Sequence, residues 1–453
     1  MTSPDQITAA SHFLSGCVQA GLRRLVLSPG SRSTPLAIAA HRLAGLDVSV
    51  HLDERSAAFA ALGEAKASGA PVAVACTSGT AAANHLPAIA EANKSGVPLI
   101  SITADRPPEH VDWGVGQAFD QLGLFHRQVR VQITMPVGAD GGLDHAVRAG
   151  VRAANTAAVD NGPVHVNWPF RLPVEPTVDA WPDPPRLSVE HPVGPLAVKA
   201  DSPGPAATAI DAADRAVIIA GPGAFAGSNA VANRAAIVDL ARRRGWPIFA
   251  DALSGLRGTP DANLVDGADQ LCASATLPSV DLVIRLGDTP TAKTIRLWWE
   301  RSGSPQVLVD PRRRWHDPSH AGTHLWHGSV DDLVATSTRY DRSGDADTWI
   351  DLGHRARAAI DEVVAESPFS EIHVTLALDA AVEAHEGDVV VVASSSMPVR
   401  EVDSFFGAST SAEVFSNRGI NGIDGVVSTA IGVARAPWHF RSLTILSSTA
   451  ELP

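Results

Sequence analysis

The chain has 453 residues and a formal net charge of −13, with 45% hydrophobic and 19% charged residues. That length exceeds what one hydrophobic core organises, so two or three globular domains are expected. The acidic balance disfavours nonspecific nucleic-acid binding. No run approaches the ~20 apolar residues that cross a bilayer, and Met1-Thr-Ser-Pro-Asp-Gln6 lacks a secretory pattern. Cys17, Cys76 and Cys272 are widely spaced and form no CxxC pair. They are expected to be buried thiols, and the chain to be cytoplasmic with no membrane span.

The first block repeats one unit. Leu25–Ser28, Val48–Leu52, Val72–Cys76, Leu99–Thr103 and Val164–Trp168 read as strands, between Ala-rich helical stretches at Gln6–Ala20, Arg55–Ala67 and Thr80–Asn93. Strands alternating with helices predict a parallel, doubly wound sheet. A Pro-rich connector follows, from about Pro169 to Pro205. The second block predicts strands at Ala216–Ala220, Pro247–Ala250, Leu282–Arg285 and Gln306–Val309, and Gly221-Pro-Gly223 reads as a strand–helix turn rather than a dinucleotide loop. His316 and His320 flank Asp-Pro-Ser, which does not favour a zinc site. After a polar break at Ser343–Asp347, a third block predicts helices at 347–366, 371–384 and 427–434. Its strands are predicted at 388–393, 414–416 and 443–446. The fold class is therefore α/β, with three parallel-sheet domains at about 1–180, 200–342 and 346–453.

Ligands of open α/β sheets bind at the carboxyl ends of the strands. Ser28-Pro-Gly-Ser-Arg-Ser-Thr-Pro35 leaves the first strand and offers Ser31, Arg32 and a helix N-terminus to an anion. Glu54 follows the second strand, either as a first-turn helix charge or as a catalytic acid or base. Thr77-Ser-Gly-Thr80 follows the third, without the G-x-S-x-G spacing of a hydrolase serine. Arg106 ends the fourth, and Gln117 lies in the loop after it. Four successive strand ends thus bring polar groups to one rim.

With those segments, Leu52-Asp-Glu-Arg55, Gly162-Pro-Val-His-Val166, Ser395-Ser-Met-Pro-Val-Arg400 and Ser416-Asn-Arg-Gly-Ile-Asn-Gly-Ile-Asp-Gly425 complete a pattern. The chain resembles the thiamin-diphosphate enzymes. More narrowly, it is similar from its start to about residue 435 to the 2-succinyl-5-enolpyruvyl-6-hydroxy-3-cyclohexene-1-carboxylate synthases of menaquinone biosynthesis. The resemblance implies a thiamin-diphosphate-dependent transferase that decarboxylates 2-oxoglutarate and adds the succinyl unit to isochorismate. It gives Glu54 the aminopyrimidine ring, whose imino tautomer takes the C2 proton of the thiazolium, and makes Ser78 and Ile423 cofactor contacts, Ile423 as the apolar wedge. Ser31, Arg32, Arg106, Gln117, Lys293, Ser396, Arg400 and Arg418 would bind substrate carboxylates and hydroxyl. A homodimer or homotetramer is implied, the pyrimidine site of one chain facing the diphosphate site of another.

Two departures stand out. Many relatives have Arg after the lysine at 293, where this chain has Thr294. The resemblance also predicts a Gly-Asp and a later Asn as Mg²⁺ ligands after the strand ending at Leu446. Here the chain reads Ser447-Ser-Thr-Ala-Glu-Leu-Pro453, so no metal ligand is assigned and Glu451 is a poor substitute. The expectation is a C-terminally truncated third domain. The alternatives to the synthase reading are a catalytically inactive remnant of that enzyme or another 2-oxo acid carboligase.

Overall fold

A computed structural model describes residues 3–175, 204–225, 230–260, 262–273, 276–312, 314–339, 341, 343–436 and 442–446. Most of the Pro-rich connector (176–203) and the segment 447–453, with Glu451, lie outside the described residues. The chain divides into two compact units. One is Met1–Val193 with Asn417–Trp438; the other is Gly194–Ser416 with His439–Pro453.

The first unit is built on six parallel strands: β1 (Arg24–Leu27), β2 (Asp47–Val50), β3 (Val72–Cys76), β4 (Leu99–Asp105), β5 (Val131–Thr134) and β6 (Val164–Pro169). They lie in the order β2-β1-β3-β4-β6-β5. Both faces are apolar, as a buried parallel sheet requires. Helices α1 (Ser3–Gln19), α2 (Thr34–Arg42) and α6 (Leu143–Val159) cover one face, packing on Leu25, Leu27, Ile100, Ile102, Val164 and Val166. Helices α3 (Glu54–Ser68) and α5 (Leu86–Ser95) cover the other, on Val26, Val72, Val74 and Leu99. The helix expected over Thr80–Asn93 is interrupted: α4 (Thr80–Ala83) stops and α5 restarts, with Pro87 in its first turn. Proline has no N–H for a preceding turn and is accepted only at a helix start.

Two helix pairs approach unusually closely because glycines remove the Cβ atoms between them. A Cβ at Gly16 of α1 would stand 2.1 Å from the Val147 carbonyl of α6, and one at Gly150 of α6 would stand 2.0 Å from the Phe13 carbonyl. The second pair joins α3 to a helix from late in the chain, α15 (Val426–Arg435). A Cβ at Gly63 would lie 2.0 Å from the Thr429 carbonyl, and one at Gly432 would lie 2.0 Å from the Ala60 carbonyl. Sequence order places α15 beside the third block; its packing surface is α3. Arg435 completes the contact, its Nε 3.0 Å from the buried Glu64 carboxylate, which Arg24 also faces at 3.7 Å.

In the second unit, β7 (Ala216–Ala220), β8 (Ile248–Ala250), β9 (Leu282–Leu286), β10 (Gln306–Val309) and β11 (His324–Trp326) form a parallel sheet ordered β11-β10-β9-β7-β8. Helices α7 (Pro205–Ala212), α8 (Ala230–Arg244) and α11 (Val330–Ala335) pack on one face. Helices α9 (Ala268–Ala273), α10 (Lys293–Ser302) and α12 (Ala346–Glu366) pack on the other, around Trp298, Trp299 and Trp349. A third sheet, β13-β12-β14, has three parallel strands: β12 (Val389–Ala393), β13 (Ala412–Phe415) and β14 (Ser442–Leu446). Val382 of α13 (Glu371–Glu383) and Val399 and Val402 of α14 (Met397–Phe405) cover it. All three sheets are parallel, as the alternating pattern predicts. The three cysteines are free and buried, and among the described residues no helix is long and apolar enough to cross a membrane.

Replacing Gly432 by Val forces a side chain into the Ala60 carbonyl. The expected result is a loss of about 1–3 kcal/mol, read in urea unfolding, with faster amide hydrogen exchange along α15. Unchanged stability and exchange would mean that the close crossing is not needed.

Candidate functional site

Because every strand of the first sheet runs the same way, the loops after β1, β2, β3 and β4 emerge on one rim. In spatial order they bring Glu54 (after β2), Ser28 to Arg32 (β1), Thr77 to Gly79 (β3) and Asp105–Arg106 (β4). Three interstrand steps of ~4.8 Å separate β2 from β4, so the rim spans roughly 14 Å. That length suits an extended ligand.

Glu54 is the first residue of α3, and the preceding Asp53 caps the helix by accepting from Ser56 N at 2.8 Å. The cap frees Glu54 from that task and leaves it half-buried. Its charge reaches the β3 end: the Cys76 thiol is pushed well up by burial and by Glu54. Gly30 and Thr77 touch so closely that a Cβ at 30 would lie 2.4 Å from the Thr77 Cβ, which fixes the β1 and β3 loops against each other. Ser28 and Ser78 are both buried, and among the described residues their hydroxyl oxygens find no partner. Buried hydroxyls are ordinarily hydrogen-bonded, so these two suit a polar ligand.

Arg32 is buried and donates to the Phe170 carbonyl at 2.7 Å. Burial and the neighbouring Arg106 lower its pKa, against the opposing charges of Asp105 and Glu175. Among the described residues the buried Arg106 Nε likewise has no partner. Two neighbouring guanidiniums of this kind favour an anionic ligand such as a carboxylate. Ser31 is exposed beside them. Gln117, with φ 59°, is also exposed and brings its Nε2 within 3.4 Å of the Ser78 carbonyl.

Below the rim lies a polar lattice that the motifs do not reveal. Gln121 accepts from Gly79 N at 2.9 Å and donates to the Ala104 carbonyl at 3.2 Å and to Asn167 Oδ1 at 2.9 Å. Asn167 also accepts from the Thr103 hydroxyl at 2.9 Å and donates to Asp105 at 2.8 Å. The side chain of Gln121 thus ties together the ends of β3, β4 and β6. Burial raises the pKa of Asp105 despite the Asn167 bond. His165, 2.8 Å from Thr103, is pushed down to about 3 by burial and by His85, and His85 to about 4 by burial. Both histidines are neutral structural groups at ordinary pH.

The segment Asn417–Gly425 is held against α5 by one carboxylate. Glu91 accepts from Gly419 N and Ile420 N, each at 2.9 Å, from Lys66 at 2.8 Å and from Ser95 at 2.6 Å. Lys66 also donates to Asn417 at 3.0 Å. Burial opposes the Glu91 charge, but Lys66, Ser95 and the Gly419 N–H together hold its carboxyl below the usual range. This tether places the half-buried Arg418 and leaves Ile423 48% exposed, a large apolar side chain facing no core. Gly425, with φ 74°, seats on Phe59 of α3.

The other expected residues belong to the second unit. Lys293 is exposed at the start of α10, and the Thr294 hydroxyl beside it is bound by Asp269. Ser396 adopts φ 74° at the start of α14, and exposed Arg400 lies one turn on, its Nη1 3.8 Å from the Met397 sulfur. Among the described residues, no group of three or more His, Cys, Asp or Glu is placed to hold a metal.

Sequence reasoning missed Gln121, Asn167, Glu91 and Lys66. Each works through partners far along the chain, and no local pattern marks it.

Residues 7–124 match the thiamine pyrophosphate enzyme N-terminal TPP-binding domain, and residues 212–388 match the thiamine pyrophosphate middle domain. The chain is 39% identical to a 2-succinyl-5-enolpyruvyl-6-hydroxy-3-cyclohexene-1-carboxylate synthase of Halorubrum lacusprofundi, over 96% of this chain and 76% of that protein. Relatives of the same name in Geobacillus kaustophilus and Listeria welshimeri are 38% and 36% identical, covering 94% and 96% of this chain and 76% and 77% of theirs.

A depressed carboxylate pKa stabilises the fold above its unfolded value, about 4.3 for Glu, and that contribution is lost as pH falls through the lower folded value. The Gly419 and Ile420 amides should therefore keep their hydrogen-exchange protection down to that pH and lose it below. Glu91→Gln should lower protection at least about tenfold at neutral pH, consistent with a charged hydrogen bond of ~1.5–3 kcal/mol. Equal protection in variant and wild type would show that the tether is not ionic.

Proposed function

The chain belongs to the family of 2-succinyl-5-enolpyruvyl-6-hydroxy-3-cyclohexene-1-carboxylate synthases, and on that premise we propose that it uses 2-oxoglutarate and isochorismate as substrates. It is a thiamin-diphosphate-dependent transferase of the carboligase type. In the proposed reaction 2-oxoglutarate loses its 1-carboxylate as CO₂, and the remaining four-carbon unit adds to the conjugated double bond of isochorismate. The observation that carries this reading is the rim of the first sheet: one half-buried acid, two buried unpartnered hydroxyls and two adjoining arginines on successive strand ends.

Thiamin diphosphate, when bound, supplies the electron sink for the decarboxylation and for carbon–carbon bond formation. The residues present fit its polar aminopyrimidine, because Ser28 and Ser78 each have a buried hydroxyl to satisfy. Glu54 would share a proton with a pyrimidine ring nitrogen, and Ile423 would support the cofactor's bend with its exposed apolar side chain. Arg32, Arg106, Ser31, Gln117 and Arg418 would hold substrate carboxylates and hydroxyl, with Lys293, Ser396 and Arg400 as further contacts assigned by resemblance. At the buried Arg32, the exclusion of water would strengthen such an ion pair. We assign Mg²⁺ to the diphosphate by family, with no ligand named among the described residues, and assign a cytoplasmic homodimer or homotetramer on the same ground.

The test is the conversion of 2-oxoglutarate and isochorismate with thiamin diphosphate and Mg²⁺, followed by product chromatography. Arg106→Gln should raise KM for at least one substrate about tenfold or more, the worth of a lost charged hydrogen bond, with little change in thiamin diphosphate affinity. Turnover with other 2-oxo acids alone would favour another carboligase. Cofactor binding without turnover of any would favour a non-catalytic member of the family. An unchanged KM in Arg106→Gln would remove that residue from the substrate site.

A further inference from the structure

Helix α14 (Met397–Phe405) carries two of the residues assigned to substrate, and its two ends are held differently. At its start Ser396 has φ 74°, a conformation that costs a non-glycine residue energy and persists only where the surroundings enforce it. Ser396 and Arg400 are both exposed. Between the ends, Val399 and Val402 pack on the third sheet. The far end meets elements of the middle sheet.

The last bond within α14 runs from Phe406 N to the Val402 carbonyl at 3.2 Å, so the carbonyls of Asp403, Ser404, Phe405 and Phe406 lack a partner in the helix. Each accepts from a side chain elsewhere in the unit. Arg257, in the loop after β8, donates from Nη2 to the Asp403 carbonyl at 2.6 Å and from Nη1 to the Phe406 carbonyl at 3.1 Å. Gln270 of α9 donates to the Ser404 carbonyl at 3.2 Å, and Arg357 of α12 to the Phe405 carbonyl at 2.6 Å. Arg257 is itself anchored, its Nε donating at 3.0 Å to the carbonyl of Ala250, the last residue of β8. Two guanidiniums stand where the helix dipole favours cations.

Side chains of α14 return the grip. Asp403 Oδ1 accepts from Arg257 Nη2 at 3.0 Å and from Ala252 N at 2.8 Å, and the Ser404 hydroxyl donates to Asp269 at 2.6 Å. Burial and the neighbouring Asp251 push the Asp403 carboxyl up, and Arg257 opposes them. Arg257 thus meets two of the four final carbonyls and a buried carboxylate together. Arg400 lies three residues before Asp403, less than one helical turn, so a shift at the clasped end passes directly to it.

We propose that Arg257 is a positioning residue for the substrate site: by clasping the end of α14, it fixes where Ser396 and Arg400 meet the substrate. This role rests on the assignment of those two residues to substrate, and it gives the middle sheet a function, to hold their helix.

Equilibrium dialysis of 2-oxoglutarate and of isochorismate against the full chain tests this, with thiamin thiazolone diphosphate, an inert cofactor analogue, present so that neither substrate reacts. Arg400→Gln should weaken at least one of them about tenfold, a change of ~1.4 kcal/mol. Arg257→Gln should weaken the same substrate about threefold or more, the low end of couplings carried by a backbone shift. Arg257→Lys keeps the charge without the fork and should recover part of that loss. Added to Arg400→Gln, Arg257→Gln should cost less than about twofold more, because the arm it places is already gone. Circular dichroism melting shows whether each variant folds. Should Arg257→Gln not fold, Gln270→Ala, which releases the Ser404 carbonyl, should weaken binding about twofold with the same dependence on Arg400. Wild-type affinity in Arg257→Gln, or in Gln270→Ala standing in for it, would overturn the proposal. So would an equal loss with and without Arg400, the mark of a general loosening of the fold. No effect of Arg400→Gln on either substrate, or no binding of either by the wild-type chain up to about 10 mM, would instead overturn the substrate assignment, and the positioning role with it.

Discussion

The parallel pairing of the first sheet is the constraint on which the site depends. Arg24 is in register with both Asp47 and Val72, Val72 with Leu99, and Ile100 with Val164. With strand starts aligned and directions shared, the ends of β1, β2, β3 and β4 arrive at one edge. Glu54, Ser78, Arg32 and Arg106 then face one rim although up to 74 residues separate them, from Arg32 to Arg106. An antiparallel pairing would send alternate loops to the opposite edge and scatter the same side chains.

Holding the rim needs more than the sheet. Gln121 fixes the β3 loop to the ends of β4 and β6 through three hydrogen bonds from one side chain. Glu91 fixes the glycine-rich segment that carries Arg418 and Ile423. The reciprocal glycines of α3 and α15 bring that segment's helix into backbone contact with the helix that starts at Glu54. Glu54 opens one of these helices, and the segment with Ile423 leads directly into the other.

Much of this was legible in the sequence. Short apolar runs marked β3, β7 and β10 to the residue, because strands buried on both faces read as continuous hydrophobic segments. β5 (Val131–Thr134) and β11 (His324–Trp326) carry weak patterns as sheet-edge strands, with one buried residue in β5 and none in β11. The long helix α6 went unassigned although its apolar face is clear in the structure. Of the polar groups on the rim, those in recognisable loops stand out in the sequence. Gln121 and Glu91 do not, since a lone Gln or Glu in a loop or helix ordinarily means a solvated surface, and only the assembled fold shows them buried.

We propose that Glu54 activates thiamin diphosphate on this rim. Deuterium exchange at C2 of the bound cofactor, followed by proton NMR after acid quench, measures that activation directly and requires neither substrate. Exchange in the wild-type protein should exceed that in Glu54→Gln by about 10²–10⁴-fold, the usual reach of general acid–base catalysis, with both proteins holding the cofactor. Equal exchange rates in the two, at equal occupancy, would contradict it.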